Sequence, residues 1–206
     1  MRSSQKLADL RQELLGIPDA LRETLTKGHR EFEALVRDTR WGQGPIYIVG
    51  SGASFIAGLA GARAFESALG RPAICRVASD FEAYSMALVQ PHSVLLAISY
   101  CGADNEVLEV ARAARRRGAK VLALTGSATN ELATMSHGVL LVRAGDEQGL
   151  GVRITACEQA ALIYTSLLSA SLLQRPNTRI ANQLTELEKL PEQAEWVLLN
   201  TQDAMR

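Results

Sequence analysis

Ser93-Val94-Leu95-Leu96-Ala97-Ile98 runs without a break into Ser99-Tyr100-Cys101-Gly102-Ala103-Asp104, and Asn105 to Arg117 then reads as an amphipathic helix. An apolar run that gives way to small polar residues and then opens a helix is how an α/β sheet builds a small-ligand site. The loop and the helix's first N–H groups face whatever lies beyond the strand's carboxyl end. A second stretch follows the same grammar: Ile46-Tyr47-Ile48-Val49, then Gly50-Ser51-Gly52-Ala53-Ser54, then a helix of small residues. Two such junctions predict one shared pocket.

The alternation extends on both sides of these stretches. Strands are expected at Ile46 to Val49, Ala73 to Val77, Val94 to Ile98, Val121 to Leu124 and Gly138 to Val142. Helices are expected at Ser54 to Leu69, Phe81 to Leu88, Asn105 to Arg117, Asn130 to Met135 and Ala156 to Leu173. Ser79 with Glu82, and Thr155 with Glu158, have the spacing of capping boxes. Short apolar strands alternating with helices argue for an α/β fold with a five-stranded parallel sheet covered on both faces. Before it, Leu7, Leu10, Leu14, Leu21, Leu25, Phe32 and Leu35 keep helical spacing, broken at Gly16-Ile17-Pro18-Asp19 with Pro18 in a first-turn position. Trp41-Gly42-Gln43-Gly44-Pro45 reads as a loop, and Thr178 to Arg206 is helical again. The expected organisation is a helical segment over 1–40, a ligand-binding domain over 41–175 and a linker-like helical tail over 176–206.

Bulk properties narrow the function. A chain of 206 residues with 47% hydrophobic content can bury a sizeable core. Lys+Arg 22 against Asp+Glu 22 predicts neither a nucleic-acid surface nor a basic membrane patch. Cys75, Cys101 and Cys157 form no C-x-x-C pair, which argues against a disulfide framework or a metal knuckle and fits a reducing compartment. The first residues lack an apolar signal core, and no apolar run reaches the ~18 residues of a membrane span. A soluble cytoplasmic protein is expected.

Each polar stretch has competing readings. Gly50-Ser51-Gly52-Ala53-Ser54 approaches a dinucleotide fingerprint, but Phe55 stands where a third glycine or alanine belongs, and the second strand ends Cys75-Arg76-Val77 with no acidic ribose partner. That argues against NAD and leaves an NADP variant through Arg76, or a plain tight turn, as alternatives. Asp104 is either a ligand group or the N-cap of the next helix. Cys101 is either a thiol activated by that helix or an ordinary loop thiol, since no histidine stands in relation to it. Ala144-Gly145-Asp146-Glu147-Gln148-Gly149-Leu150-Gly151-Val152-Arg153 suggests a ligand-side loop, with Glu147 as a candidate base or sugar contact and a solvated loop acid as the alternative. Arg115-Arg116-Arg117 reads as a solvated helix end. His29, His92 and His137 fall in unrelated elements and receive no role.

Four segments together resemble the SIS (sugar isomerase) domain family, above all the first such domain in the isomerase half of glucosamine-6-phosphate synthase and its phosphosugar-isomerase relatives. The family's C-G-T-S loop is similar to Ser51-Gly52-Ala53-Ser54, its A-S-E-F stretch to Ala78-Ser79-Asp80-Phe81, its S-x-S-G-x-T loop to Ser99-Tyr100-Cys101-Gly102-Ala103-Asp104, and its A-G-x-E-x-G-V-A segment to Ala144 through Gly151. The resemblance implies a flavodoxin-like three-layer sandwich, a sugar-phosphate ligand, a homodimer, and neither cofactor nor metal. It places ligand contacts at Ser51, Gly52, Ala53 and Ser54, at Ser99, Tyr100, Cys101, Gly102 and Asp104, and at Leu150 and Arg153.

The departures from the family pattern matter physically. A thiol at Cys101 donates more weakly than the family's serine, and an ionised Asp104 repels a phosphate at short range. Ala53 lacks a hydroxyl, whereas Arg153 supplies a compensating cation. Three alternatives remain open: the phosphate is held differently, the ligand lacks one, or binding is lost. The resemblance also implies that the usual catalytic carboxylate, lysines and histidine belong to a second domain, so Glu147 is the single candidate base within this chain. The function expected is sugar-phosphate binding of an aldose–ketose or amino-sugar isomerase type, incomplete for catalysis alone. A non-catalytic regulatory module and an NADP-dependent reductase are the other readings.

Overall fold

A computed structural model describes residues 2–39, 44–146, 150–173 and 177–201, with the backbone alone for residues 2–5. Five parallel strands, β1 (Ile46–Gly50), β2 (Ala73–Val77), β3 (Val94–Ile98), β4 (Lys120–Thr125) and β5 (Gly138–Leu141), form one sheet in the order β2-β1-β3-β4-β5. The expected α/β fold with a parallel sheet is therefore present. β1 and β3 are buried along their whole length, which is why they read as unbroken apolar runs.

Side chains leave each strand with period two and divide the core between two faces. Ile46, Ile48, Val94, Leu96, Ile98, Leu122 and Leu124 pack under α4 (Gly52–Leu69) and α8 (Val152–Leu173). Tyr47, Val49, Leu95, Ala97, Val121 and Ala123 pack under α6 (Asn105–Arg116) and the short helical segment after β2. Two glycines let α4 lie as a middle layer. A Cβ on Gly58 would come within 2.8 Å of Cys75 Sγ beneath it, and one on Gly61 within 2.8 Å of Leu162 on α8 above it. The close approach to the sheet thus falls at Gly58, two turns into α4, and Phe55 does not prevent it.

The N-terminal helices α1 (Arg2–Leu15), α2 (Ile17–Arg22) and α3 (Gly28–Asp38) break after Leu15, with Pro18 in the first turn of α2. A π-turn over Glu23–Lys27 joins α2 to α3. Thr24 in that turn accepts the backbone N–H of Arg143 at 2.9 Å, so this layer seals the exposed edge of the sheet beside β5. The tail forms α9 (Thr178–Glu188) and α10 (Leu190–Thr201).

Several local features differ from the sequence reading. The helix expected over Phe81 to Leu88 is α5 (Ala78–Asp80), a π-turn (Phe81–Ser85) and a 3-10 turn (Met86–Leu88). Its N-cap is Val77, so Ser79 caps nothing. The last long helix begins at Val152, ahead of the expected Ala156, and Thr155 and Glu158 do not form a capping box: Thr155 Oγ1 donates to the Gly151 carbonyl at 2.6 Å within the helix. α8 is also long and apolar enough to span a membrane, contrary to the expectation for any segment, but two thirds of that window is buried inside the fold. A helix covered on both sides by protein reads as apolar all round. The loop expected over 41–45 lies mostly outside the described residues.

Candidate functional site

Strand order reverses direction between β1 and β3, so the chain leaves the sheet toward opposite faces from two neighbouring strands. Such a switch point opens a crevice at the strands' carboxyl ends. Val49 pairs with Ala97 across β1 and β3, which brings Gly50-Ser51 and Ile98-Ser99 out side by side on one rim. The two polar junctions of the sequence therefore emerge side by side, where a fold of this topology opens its crevice.

On the β1 side, Ser51 occupies the N-cap position of α4 with extended backbone, yet its hydroxyl makes no capping bond. Its Oγ is enclosed and has no hydrogen-bond partner among the described residues. Gly52 takes φ +53°, and a Cβ there would meet nothing within 4 Å, so the first turn of α4 faces open space. Gly52 and Ala53 are exposed. Ser54 turns inward, and its Oγ donates to Glu158 Oε1 of α8 at 3.0 Å. Glu158 is fully buried.

On the β3 side, the loop is held by a chain of bonds. Ser99 N donates to the Leu124 carbonyl at 3.1 Å and Gly126 N to the Tyr100 carbonyl at 2.9 Å. Thr125 Oγ1 donates to the same Tyr100 carbonyl at 3.1 Å, and Asn130 Nδ2 donates to Thr125 Oγ1 at 2.6 Å. Asn130 Oδ1 in turn accepts Ala133 N at 2.9 Å, capping α7 (Glu131–Met135). Ser99 is nearly buried, and its Oγ accepts Gly102 N at 3.2 Å and stands 3.6 Å from Cys101 Sγ. Cys101 itself is exposed. Gly102 holds φ +68°, where any Cβ would lie 2.1 Å from the Asn130 side chain.

Asp104 caps the next helix: its Oδ1 accepts Val107 N at 3.1 Å at the start of α6. The positive end of α6 is thus already neutralised by a carboxylate of the chain itself.

The loop after β5 closes the rim. Tyr100 OH donates to the Gly145 carbonyl at 2.9 Å, and its ring lies where a Cβ on Gly126 would come within 2.6 Å. Burial, followed by the neighbouring Asp146 carboxylate, raises the Tyr100 pKa above its ordinary value of 10.0 and keeps the phenol protonated. Arg153 in the first turn of α8 is half-buried, donates to the Asp146 carbonyl at 2.5 Å and lies against Gly16 of the N-terminal layer. Leu150 is 73% exposed and points to solvent. Glu147, the candidate base, lies outside the described residues. Among the described residues no group of His, Cys, Asp and Glu side chains could hold a metal ion.

Two carboxylates of this region escape a reading of the sequence alone. Glu158 is the one acidic residue of the long helix Val152–Leu173, a signal of an internal partner that its spacing from Thr155 disguised as a capping box. Glu13 of α1 is 4% exposed, and its Oε2 accepts the backbone N–H of Val152 at the start of α8. Its placement three residues after Leu10 and one before Leu14, on the inward face of α1, is the only local hint.

The fold and its rim define a flavodoxin-like α/β domain with hydroxyl-lined loops at the switch point. Residues 41–170 match the SIS domain family, and the chain belongs to that family. It is similar to the glutamine–fructose-6-phosphate aminotransferase [isomerizing] of Aeropyrum pernix, 33% identical over 202 residues, which cover 95% of this chain and 32% of that enzyme. The chain therefore spans about a third of the length of the curated relatives it matches. Among solved structures, the C-terminal domain of glucosamine-fructose-6-phosphate aminotransferase from Francisella tularensis superposes with TM-score 0.74 at 21% identity, covering 91% of this chain and 53% of that one. The Vibrio vulnificus NanR protein complexed with ManNAc-6P superposes with TM-score 0.63 at 23% identity, covering 97% of this chain and 72% of that one.

Proposed function

We propose that this chain is the sugar-phosphate-binding SIS unit of an aldose–ketose or amino-sugar isomerase, cytoplasmic, homodimeric, free of cofactor, and not sufficient for turnover alone. The observation that carries the reading is the juxtaposition of Ser51 and Ser99 at the switch point, with the Ser51 hydroxyl enclosed and unpartnered among the described residues. A buried hydroxyl with no partner is costly, and a ligand oxygen supplies the missing bond. The first turn of α4, which carries no acidic residue, adds the positive end of a helix beside it. The ManNAc-6P bound by the Vibrio vulnificus protein and the aminotransferase names of the sequence relatives support a phosphorylated sugar. Exposed Trp196, Val197 and Leu199 on α10 support association with a second copy. The division into a helical segment over 1–40, the SIS unit over 41–175 and a tail over 176–206 is part of the same proposal.

Binding without turnover is the second reading. The carboxylates located beside the crevice are engaged structurally, Asp104 in a helix cap and Glu158 by Ser54, and a proton-transfer catalyst needs a carboxylate within reach of substrate carbon-bound protons. Calorimetric titration with fructose 6-phosphate, glucosamine 6-phosphate and N-acetylmannosamine 6-phosphate tests the common core of both readings. Saturable binding is expected, and its absence at millimolar ligand refutes them. Proton exchange at carbon two of the bound sugar in deuterated water then separates them.

A further inference from the structure

The arginines at the end of α6 do not all trail into solvent. A groove of about 500 Å³ lies between the carboxyl-terminal half of α6 and α7, with Arg112, Arg115 and Arg116 on one side and Glu131, Thr134 and Met135 on the other. That is the size of a small-molecule site. Arg112 is 37% exposed and is held by Glu109 at 2.6 Å and by Glu131 across the groove. Arg115 donates to the Met135 carbonyl at the end of α7. Two guanidinium forks are thus fixed at the groove before any ligand arrives. The Arg116 side chain makes no hydrogen bond or ion pair among the described residues. The charges do not cancel here. Arg112, Arg115, Arg116 and Arg117 are set against Glu109 and Glu131, and Lys120 is offset by Asp38 at 3.8 Å, which leaves two positive charges in a chain whose Lys+Arg 22 equal its Asp+Glu 22. The carboxyl end of α6 takes up about half of one. His137 registers the remainder: burial first, then Arg115 and Lys120, lower its pKa.

We propose that this groove binds a diphosphate group, free or carried by a nucleotide. Guanidinium forks match phosphoryl oxygens in pairs. Arg115 and Arg116 follow Arg112 by one helical turn, so Arg112 has each of them as a neighbour at about 5–6 Å between Cβ atoms. One phosphoryl group fills one fork, and two linked ones span a pair. Glu131 repels an anion from the far wall and keeps it on the arginine side. The site is separate from the rim: Arg115 stands about 16 Å along the α6 axis from Asp104, at about 1.5 Å per residue. The inference holds whether or not the rim takes a sugar phosphate.

The test is calorimetric titration of the intact chain with inorganic pyrophosphate, orthophosphate and ADP, with the His137 ring followed by NMR. Pyrophosphate is expected to saturate one site, with orthophosphate at least about 10-fold weaker. Arg116→Gln removes a fork that holds nothing else and should weaken pyrophosphate about 10-fold, while Arg117→Gln, one residue on and outside the groove, should change it less than about twofold. Glu131→Gln should tighten it about fivefold. Pyrophosphate should also raise the His137 pKa by offsetting Arg115, and should not do so in Arg116→Gln. Tighter binding of ADP than of pyrophosphate identifies a nucleotide as the source of the diphosphate, and equal or weaker binding identifies the bare ion. No saturable binding of pyrophosphate at millimolar concentration overturns the inference. Equal losses in Arg116→Gln and Arg117→Gln overturn it too, since a diffuse attraction to the helix end would then suffice. If fructose 6-phosphate displaces pyrophosphate, the anion sits at the rim, and this inference falls while the sugar-phosphate reading stands.

Discussion

Gly102→Ala tests the architecture of the β3 loop at its tightest point. The backbone there has φ +68°, and the added Cβ would fall 2.1 to 2.3 Å from Cγ, Nδ2 and Oδ1 of Asn130. Left-handed backbone in a non-glycine residue costs about 1–2 kcal/mol. The overlap cannot be relieved without moving Asn130, which caps α7 through Ala133 N and donates to Thr125 Oγ1. Loss of the cap is worth about 1 kcal/mol and loss of the side-chain bond about another. The sum is about 3–4 kcal/mol, and for a chain of this size that corresponds to a fall in Tm of roughly 6–15 °C. Asn130→Ala, which removes the cap and the bond but leaves Gly102 alone, should cost about 2 kcal/mol by the same figures. The double variant should be little worse than Gly102→Ala, because the clash has no target left, giving a coupling of about 2 kcal/mol in the cycle. Urea unfolding of the four proteins measures all of these values. A Gly102→Ala loss under about 1 kcal/mol, or strict additivity with Asn130→Ala, would refute the account of how this loop is held.

Other consequences are equally accessible. Asp104→Thr keeps a capping oxygen for Val107 N while removing a negative charge from the start of α6, so stability should hold and sugar-phosphate affinity should rise about 5- to 30-fold; unchanged affinity in titration would place the phosphate away from α6. Cys101 is exposed, Cys157 is buried, and burial pushes the Cys75 thiol up to about 12, so a colorimetric thiol reagent should titrate one thiol in the native protein and all three after unfolding. Saturating sugar phosphate should slow that single reaction. His137 Nδ1 accepts Val121 N at 3.0 Å, and burial first, then Arg115 and Lys120, lower its pKa below 6.5. The folded protein thus favours neutral imidazole: the stabilisation is present above pH 6.5 and is lost as pH falls through the lower folded value. The drop in Tm between about pH 7 and 5 should shrink in His137→Asn, and an equal drop in both proteins would contradict this assignment.

How much of this could be read from the chain depends on the range of the forces involved. The strands were legible because β1 and β3 are buried on both faces and show nothing but apolar residues and β-branched neighbours. The rim was legible because polar residues directly after such runs have nowhere else to go. Helix ends set by distant contacts were not. The segment after β2 tightens into a 3-10 turn where Tyr47 OH donates to the Leu88 carbonyl at 3.1 Å, a bond spanning 41 positions. Glu158 was misassigned for the same reason, since its partner is 104 positions away. Asp104 shows the converse: a cap is a bond within one turn, and its partner Val107 stands three residues on, within reach of a reading of the sequence.

The bond between Glu13 and Val152 N bears on how the domain should be cut. The family match begins at residue 41, yet the acceptor that finishes α8's opening turn arrives from 139 positions upstream. An excised 41–170 fragment would carry the full sheet and both hydroxyl loops while leaving that amide, and the Arg153 beside it, without their backing. The boundary drawn by likeness is therefore narrower than the piece of polypeptide that shapes the crevice, and anyone grafting this rim onto another scaffold should take the leading helix along.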